Sequence, residues 1–141
     1  MTQILGKGFI AFLILAALPF TSFAEGESKV QSITAEAFLA KLKQEPNLNL
    51  LDVRTPEEFA AVKMPGAINV PLPTLNSNED LQNALKPFAS SKKAEVYVLC
   101  RSGRRATAAA EKFVAAGHKN LVVVAGGMNR LQDLGAKVEK K

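Results

Sequence analysis

The chain has 141 residues, a net charge of +5, and a single cysteine, Cys100, with a single histidine, His118. This length is enough for one domain with a real core but not for two, and one cysteine excludes an internal disulfide. One Cys and one His at separated positions give no metal-ligand spacing, and the scattered lysines lack interleaved aromatic residues, so no metal, other cofactor or nucleic-acid partner is predicted.

The first 24 residues have the pattern of a secretory signal peptide. Lys7 precedes an apolar run from Gly8 to Leu18, and the segment Ser22 to Ala24 supplies small residues for cleavage. The run is about half of the ~20 residues that a membrane-spanning helix needs, so a stable membrane anchor is not expected. The sequence therefore predicts a signal peptide at 1–24, a single domain at 25–141 and a periplasmic location.

Strand and helix patterns alternate along the rest of the chain. Apolar runs predict strands at 30–33, 48–53, 95–99 and 121–125. Helices are predicted after a Thr34 cap, around 57–61, after a capping box that begins at Ser77, after Cys100, and at 128–134. The lysine-ended tail from Lys137 is expected to be frayed. This alternation implies an α/β domain with a central, mostly parallel sheet and helices on both faces.

The segment after the third of these strands concentrates the reactive chemistry of the chain. Cys100 follows the strand directly and begins a loop whose other positions are Arg101, Ser102, Gly103, Arg104 and Arg105. Free N–H groups of the next helical turn and a positive φ at Gly103 would form a nest beside the sulfur. The arginines add cationic donors suited to an oxyanion. This pattern favours a thiolate nucleophile over a buried structural cysteine.

The helix after the loop carries one face, mostly of small residues, at Ala106, Ala109, Ala110, Phe113, Val114 and Gly117, and Gly117 is expected to end it. A helix of about 13 residues is roughly 20 Å long, which puts His118 far from Cys100. A Cys–His pair is therefore not predicted, and activation of the thiol is assigned to N–H groups and arginines.

Asp52 and Arg54 are the other polar candidates for the site. Asp52 lies near the end of the predicted strand 48–53, so it should share a sheet edge with Cys100. Two roles remain open from the residues alone. Arg54 is favoured as part of a structural ion pair with the acidic helix at 57–61, whereas Asp52 could orient Arg105 or a water beside the sulfur.

The loop C-R-S-G-R-R resembles the active-site loop of the rhodanese family of sulfurtransferases. The segments Leu50 to Phe59 and Met64 to Pro71 are similar to further rhodanese signatures, and the Gly126-Gly127 pair is similar to the last one. The resemblance runs from about Ile33 to Leu134 and implies a rhodanese-like domain with a five-stranded sheet. The family often has Gly-His where this chain has Val62-Lys63, and a tryptophan after the double glycine is absent.

The resemblance also implies an activity. Cys100 would take sulfane sulfur from a small anionic donor such as thiosulfate, guided by Arg101 and Arg105, and pass it to cyanide or a thiol. A signal peptide joined to a lone domain is similar to phage-shock-type periplasmic rhodaneses. Two alternatives remain: a persulfide-carrying or regulatory module, with a sulfur-relay protein as partner, and a phosphatase or arsenate reductase. The C-x4-R spacing from Cys100 to Arg105 argues against the latter, because such phosphatases need C-x5-R.

Overall fold

The computed structural model describes residues 29–91 and 93–141, so the predicted signal peptide at 1–24 lies outside the described residues. In this part of the chain the strands are β1 (Gln31–Thr34), β2 (Asn49–Asp52), β3 (Val62–Lys63), β4 (Ile68–Asn69), β5 (Val96–Leu99), β6 (Leu121–Ala125) and β7 (Glu139–Lys140). A five-stranded sheet has the order β1-β6-β5-β2-β4, with every pair parallel. The predicted five-stranded α/β architecture is confirmed.

The helices are α1 (Ala35–Gln44), α2 (Pro56–Ala61), α3 (Asn78–Leu85), α4 (Arg104–Ala115) and α5 (Gly127–Asp133). Short 3₁₀ turns at Leu72–Thr74 and Lys86–Phe88 precede and follow α3. Side-chain caps start two of the helices where the sequence predicts them, at Thr34 and Ser77, and a third cap that was not predicted lies at Thr55. Within residues 29–91 and 93–141, no helix is long and apolar enough to cross a membrane.

The core lies on both faces of the sheet, because successive side chains of each strand point in opposite directions. In β5, Val96 and Val98 belong to the cluster that α3 and α4 cover. Tyr97 and Leu99 belong to the opposite cluster, which α1 and α5 cover. The central strand β5 is buried along its whole length, so the residue that follows it starts from a rigid position.

Helix α4 packs through the predicted face of small residues. Ala106, Ala109, Ala110 and Phe113 are fully buried in the cluster on that side of the sheet. The helix ends as predicted at Gly117, which has φ +86° and donates its N–H to the Val114 carbonyl at 3.0 Å. Its position beneath the sheet therefore follows from side chains small enough to let the helix backbone approach β5 and β6.

The expectation of a frayed tail from Lys137 is wrong for the last three residues. Glu139 and Lys140 pair antiparallel with Val62 and Lys63, and the Lys141 N–H donates to the Ala61 carbonyl at 3.3 Å. The strands β3 and β7 thus form a separate two-stranded sheet. The tail is held by this backbone pairing.

Candidate active site

The site lies at the carboxyl edge of the parallel sheet, where β2 and β5 end side by side. Asp52, the last residue of β2, is paired in register with Leu99, the last residue of β5, and Cys100 follows at once. The prediction that Asp52 and Cys100 share this edge is confirmed. Cys100 is 0% exposed, so its thiol lies beneath the loop that it begins.

Gly103 supplies the one hydrogen bond to the sulfur that the structure shows. Its N–H donates to Cys100 Sγ at 2.9 Å. Gly103 has φ +100° at the N-cap of α4, a left-handed conformation that glycine adopts more readily than other residues. The predicted positive φ at Gly103 is therefore confirmed. Thr107 holds the carbonyl of Gly103 through its backbone N–H at 3.0 Å and its hydroxyl at 2.9 Å. Gly103 is therefore held on both of its sides, through its N–H by the sulfur and through its carbonyl by α4.

Helix α5 holds the other end of the loop. The Met128 N–H donates to the Cys100 carbonyl at 2.8 Å, and the Asn129 N–H donates to the Arg101 carbonyl at 3.0 Å. A Cβ on Gly127 would lie 2.3 Å from the Cys100 carbonyl oxygen, so only glycine allows this approach. Sequence reasoning did not assign Met128 or Asn129 to the site, although a double glycine between a strand and a helix was a signal for close backbone contact.

Asp52 and Arg54 form a buried ion pair beneath the loop. Arg54 Nε lies 3.0 Å from Asp52 Oδ1, and Arg54 Nη2 lies 2.7 Å from Oδ2. The same guanidinium donates to the carbonyls of Glu58, at 3.3 Å, and Val62, at 2.6 Å. Arg54 thus has a structural ion pair, as favoured, but its partner is Asp52, and it reaches α2 only through a carbonyl.

The suggestion that Asp52 orients Arg105 is wrong, because within residues 29–91 and 93–141 Asp52 forms its ion pair with Arg54 and Arg105 forms its ion pair with Glu58. Arg105 pairs end-on with Glu58, at 2.7 Å from Nη1 to Oε2 and 2.8 Å from Nη2 to Oε1. These two bonds are the main reason that the pKa of Glu58 is lowered to about 2. The pair is therefore present at any pH well above 2 and is lost only as pH falls through that value.

Glu58 was missed as a site residue by the sequence reasoning. Its role could have been suspected from its place in a capping box, where its carboxylate accepts the Thr55 N–H at 3.0 Å. Its pairing with Arg105 could not be predicted from local sequence, because the two residues are 47 positions apart and meet only in the folded chain.

The remaining loop side chains lie at the surface. Arg101, Ser102 and Arg104 are exposed. Among residues 29–91 and 93–141, neither Arg101 nor Arg104 forms an ion pair. Two arginines of the loop are thus free to meet an anion, whereas the third is paired with a carboxylate.

His118 lies at the opposite end of α4 from the loop. Its N–H donates to the Phe113 carbonyl at 2.9 Å, and its ring meets the Phe113 ring edge-on, with 5.9 Å between centroids. The 12 residues of α4 separate it from Gly103, so the structure does not bring His118 to Cys100. The base-free arrangement around Cys100 agrees with the prediction from helix length.

The site thus consists of a buried cysteine on a strand-to-helix loop, at the carboxyl edge of a parallel sheet, with its sulfur bound by the backbone N–H of Gly103. The family model described as "Rhodanese-like domain" matches residues 34–134, and the chain belongs to that family.

Similar proteins include sulfur-handling proteins. The chain is 32% identical over 105 residues to a putative sulfur carrier protein of Bacillus subtilis, covering 74% of this chain and 52% of that protein. It is 31% identical over 118 residues to the thiosulfate:glutathione sulfurtransferase of Saccharomyces cerevisiae, covering 77% of this chain and 82% of that protein. The crystal structure of a rhodanese-like domain protein from Staphylococcus aureus is similar with a TM-score of 0.60 and 28% identity, covering 79% and 99% of the two chains. The chain thus spans about half the length of the first relative.

Gly127→Ala should destabilise the protein more than Gly66→Ala does, and only Gly127→Ala should release the loop. Both glycines have positive φ, at +53° and +76°, so both changes carry about 1–2 kcal/mol of backbone strain. Only at Gly127 does the new methyl meet another backbone, which should add about 1–3 kcal/mol. Urea unfolding measures the difference, and faster alkylation of Cys100 by iodoacetamide in Gly127→Ala alone reports the loop. Equal effects of the two changes would contradict this role for Gly127.

Arg54→Met should lower the free energy of unfolding by about 3–5 kcal/mol, because it leaves the Asp52 carboxylate buried without its partner. The matched control is Arg130→Met, which breaks an exposed ion pair with Glu36 and should cost less than about 1 kcal/mol. Urea denaturation of both variants is the measurement. If the two variants lose the same stability, the Asp52–Arg54 pair is not the support that its burial indicates.

Proposed function

We propose that this protein is a sulfurtransferase that carries sulfane sulfur as a persulfide on Cys100. The observation that carries the proposal is the 2.9 Å contact between the Gly103 N–H and Cys100 Sγ in a loop anchored by α4 and α5. A polarised N–H aimed at a sulfur favours a thiolate, and it can equally hold the terminal sulfur of a persulfide. The similar yeast protein is called a thiosulfate:glutathione sulfurtransferase, which supports thiosulfate as the donor to test first.

In the proposed reaction the Cys100 thiolate attacks the outer sulfur of thiosulfate. A sulfur–sulfur bond to the cysteine forms, the sulfur–sulfur bond of thiosulfate breaks, and sulfite leaves with the electron pair. Cyanide or a thiolate then attacks the terminal sulfur, giving thiocyanate or a new persulfide, and the Cys100 thiolate returns. Because Cys100 is fully buried in the free protein, side chains above it must move before a donor can reach the thiol.

Arg101 and Arg104 are the groups best suited to attract the anionic donor, since both are exposed and neither is ion-paired within residues 29–91 and 93–141. The sequence predicted that Arg101 and Arg105 would guide the anionic donor. The structure differs for Arg105, because both of its terminal nitrogens donate hydrogen bonds to the Glu58 carboxylate. Arg105 then contributes to the site mainly as a link between α4 and α2.

A second candidate function is sulfur carriage without useful turnover of small molecules. It is favoured by the similarity to a protein named as a putative sulfur carrier, at 32% identity. The same persulfide would then be handed to a partner protein. Turnover with excess thiosulfate and excess cyanide or thiol separates the two functions, because a carrier would stop after one equivalent.

Thiosulfate treatment should add the mass of one sulfur atom to the wild-type protein and none to Cys100→Ala, with both proteins folded. Since Cys100 is the only cysteine, the position of the adduct is unambiguous. Intact-mass spectrometry is the measurement, and cyanide should remove the added mass. Equal labelling of both proteins, or an adduct that resists cyanide, would reject the persulfide mechanism.

His118→Ala should leave sulfur-transfer kinetics within about twofold of wild type, a change below ~0.5 kcal/mol in transition-state stabilisation. The reason is that His118 packs on Phe113 at the far end of α4 and reaches no group of the loop. Steady-state kinetics with thiosulfate decide this. A hundredfold loss of activity with the fold intact would show that the histidine takes part in the reaction.

We further propose that the protein acts in the periplasm, like the phage-shock-type rhodaneses that the sequence resembles. Lys7, the apolar run after it and the cleavage residues up to Ala24 support export. The mature chain should therefore begin at Glu25 and appear in the soluble periplasmic fraction, as intact mass and fractionation would show. Recovery of the chain in the membrane fraction with residues 1–24 retained would contradict this proposal.

A further inference from the structure

The charged groups near the sulfur fall into two classes. Asp52 pairs with Arg54 and Glu58 pairs with Arg105, so each of these ion pairs is close to neutral. The exposed side chains of Arg101 and Arg104 have no such partner among residues 29–91 and 93–141. The local field at the sulfur is therefore less positive than a loop with three arginines suggests.

Glu58 is held where it can cancel the charge of Arg105. Its carboxylate accepts the Thr55 N–H at 3.0 Å, and its own N–H donates to the Thr55 hydroxyl at 3.2 Å. Its carbonyl accepts a bond from Arg54, which is itself fixed by the buried Asp52. Both the backbone and the side chain of Glu58 are thus constrained by contacts that do not involve Arg105, so the carboxylate remains in place if Arg105 turns away.

Arg105 is placed so that its charge acts on the sulfur. It is the second residue of α4, two positions after the glycine that donates to Cys100 Sγ. The pKa of Arg105 is raised chiefly by the hydrogen bonds to Glu58, with a further contribution from the negative charge of a Cys100 thiolate. The guanidinium therefore interacts electrostatically with both the carboxylate and the thiolate.

We propose that Glu58 sets the charge selectivity of the site: by cancelling the charge of Arg105, it limits the preference of Cys100 for highly anionic reagents. For sulfur transfer this inference rests on the proposed function. It means that the kcat/KM for doubly anionic donors exceeds that for weakly charged donors by a smaller factor than three uncompensated arginines would give. Thiosulfate carries two negative charges, whereas a persulfide of a small thiol carries fewer. Glu58 would thus widen the range of donors that the site accepts.

Glu58→Gln is the variant that tests this, because it removes the charge and retains most contacts. The amide oxygen can still accept the Thr55 N–H, and glutamine serves at this position of a capping box as well as glutamate does. One end of the Arg105 guanidinium is released. Glu57→Gln is the matched control, since Glu57 is the exposed neighbour on α2 and the change in net charge is identical.

The readout is the ratio of the rates at which iodoacetate, an anion, and iodoacetamide, which is neutral, alkylate the only cysteine. Relative to wild type, Glu58→Gln should raise this ratio about three- to tenfold, because the charge of Arg105 is then no longer cancelled by the Glu58 carboxylate. Glu57→Gln should change it by less than about 1.5-fold, because an exposed charge farther from the sulfur is screened. In the background of Arg105→Ala, Glu58→Gln should return the ratio to about that of wild type, since both charges of the pair are then absent.

A second variant keeps the proposal testable if Glu58→Gln lowers stability. Arg105→Ala leaves the constrained Glu58 carboxylate uncompensated, and the alkylation ratio should then fall below that of wild type by about threefold or more. An unchanged or lowered ratio in Glu58→Gln would overturn the proposal, and so would a rise equal to that of Glu57→Gln. A ratio that is unchanged in Arg105→Ala would overturn it as well.

Sulfur transfer is measured in parallel and can fail separately. With thiosulfate, Glu58→Gln should raise kcat/KM mainly through a lower KM, and the gain should shrink as salt is added. Alkylation needs only a reactive thiol, so the ratio tests the role of Glu58 even if no variant transfers sulfur. Absence of transfer in every variant, wild type included, would reject the proposed function and leave the charge-selectivity result standing on its own.

Discussion

The structure of the site depends on the backbone clamp around the loop that begins at Cys100. On one side, Gly103 turns its N–H to the sulfur while Thr107 of α4 holds its carbonyl. On the other side, the N–H groups of Met128 and Asn129 in α5 hold the carbonyls of the first two loop residues. Because both helices pack on opposite faces of the sheet, the loop is positioned by the same hydrophobic cores that stabilise the domain.

Two arginine–carboxylate ion pairs near this clamp differ in burial and in role. The Asp52–Arg54 pair is almost fully buried, and Arg54 also donates to the carbonyls of Glu58 in α2 and of Val62 just after it, so the pair connects β2 to that helix. The Glu58–Arg105 pair is about one-third exposed, and water screens part of its attraction. Its importance lies less in stability than in the charge that it withdraws from the vicinity of the sulfur.

Most of the architecture could be predicted from local patterns, because apolar periodicity and helix caps are properties of short segments. The small-residue face of α4 and the positive φ of Gly103 follow directly from residues within one or two turns. The partner of Arg105 could not be predicted in this way. Glu58 lies 47 residues away in the sequence, and only the folded chain brings it to the guanidinium. The pairing of Glu139 and Lys140 with β3 could not be predicted either, because it joins distant segments and the lysine-rich tail has no strand pattern of its own.

The docking of α5 on the loop also bears on how the site loses its structure. Met128 and Leu131 of this helix are buried in the core on one face of the sheet, while the loop continues into α4 on the other face. A fluctuation that freed the carbonyls of the loop would therefore have to lift a core helix from the sheet. The backbone of the site should then exchange its amide hydrogens at a rate set by global unfolding rather than by local opening, even though the side chains around the thiol can move.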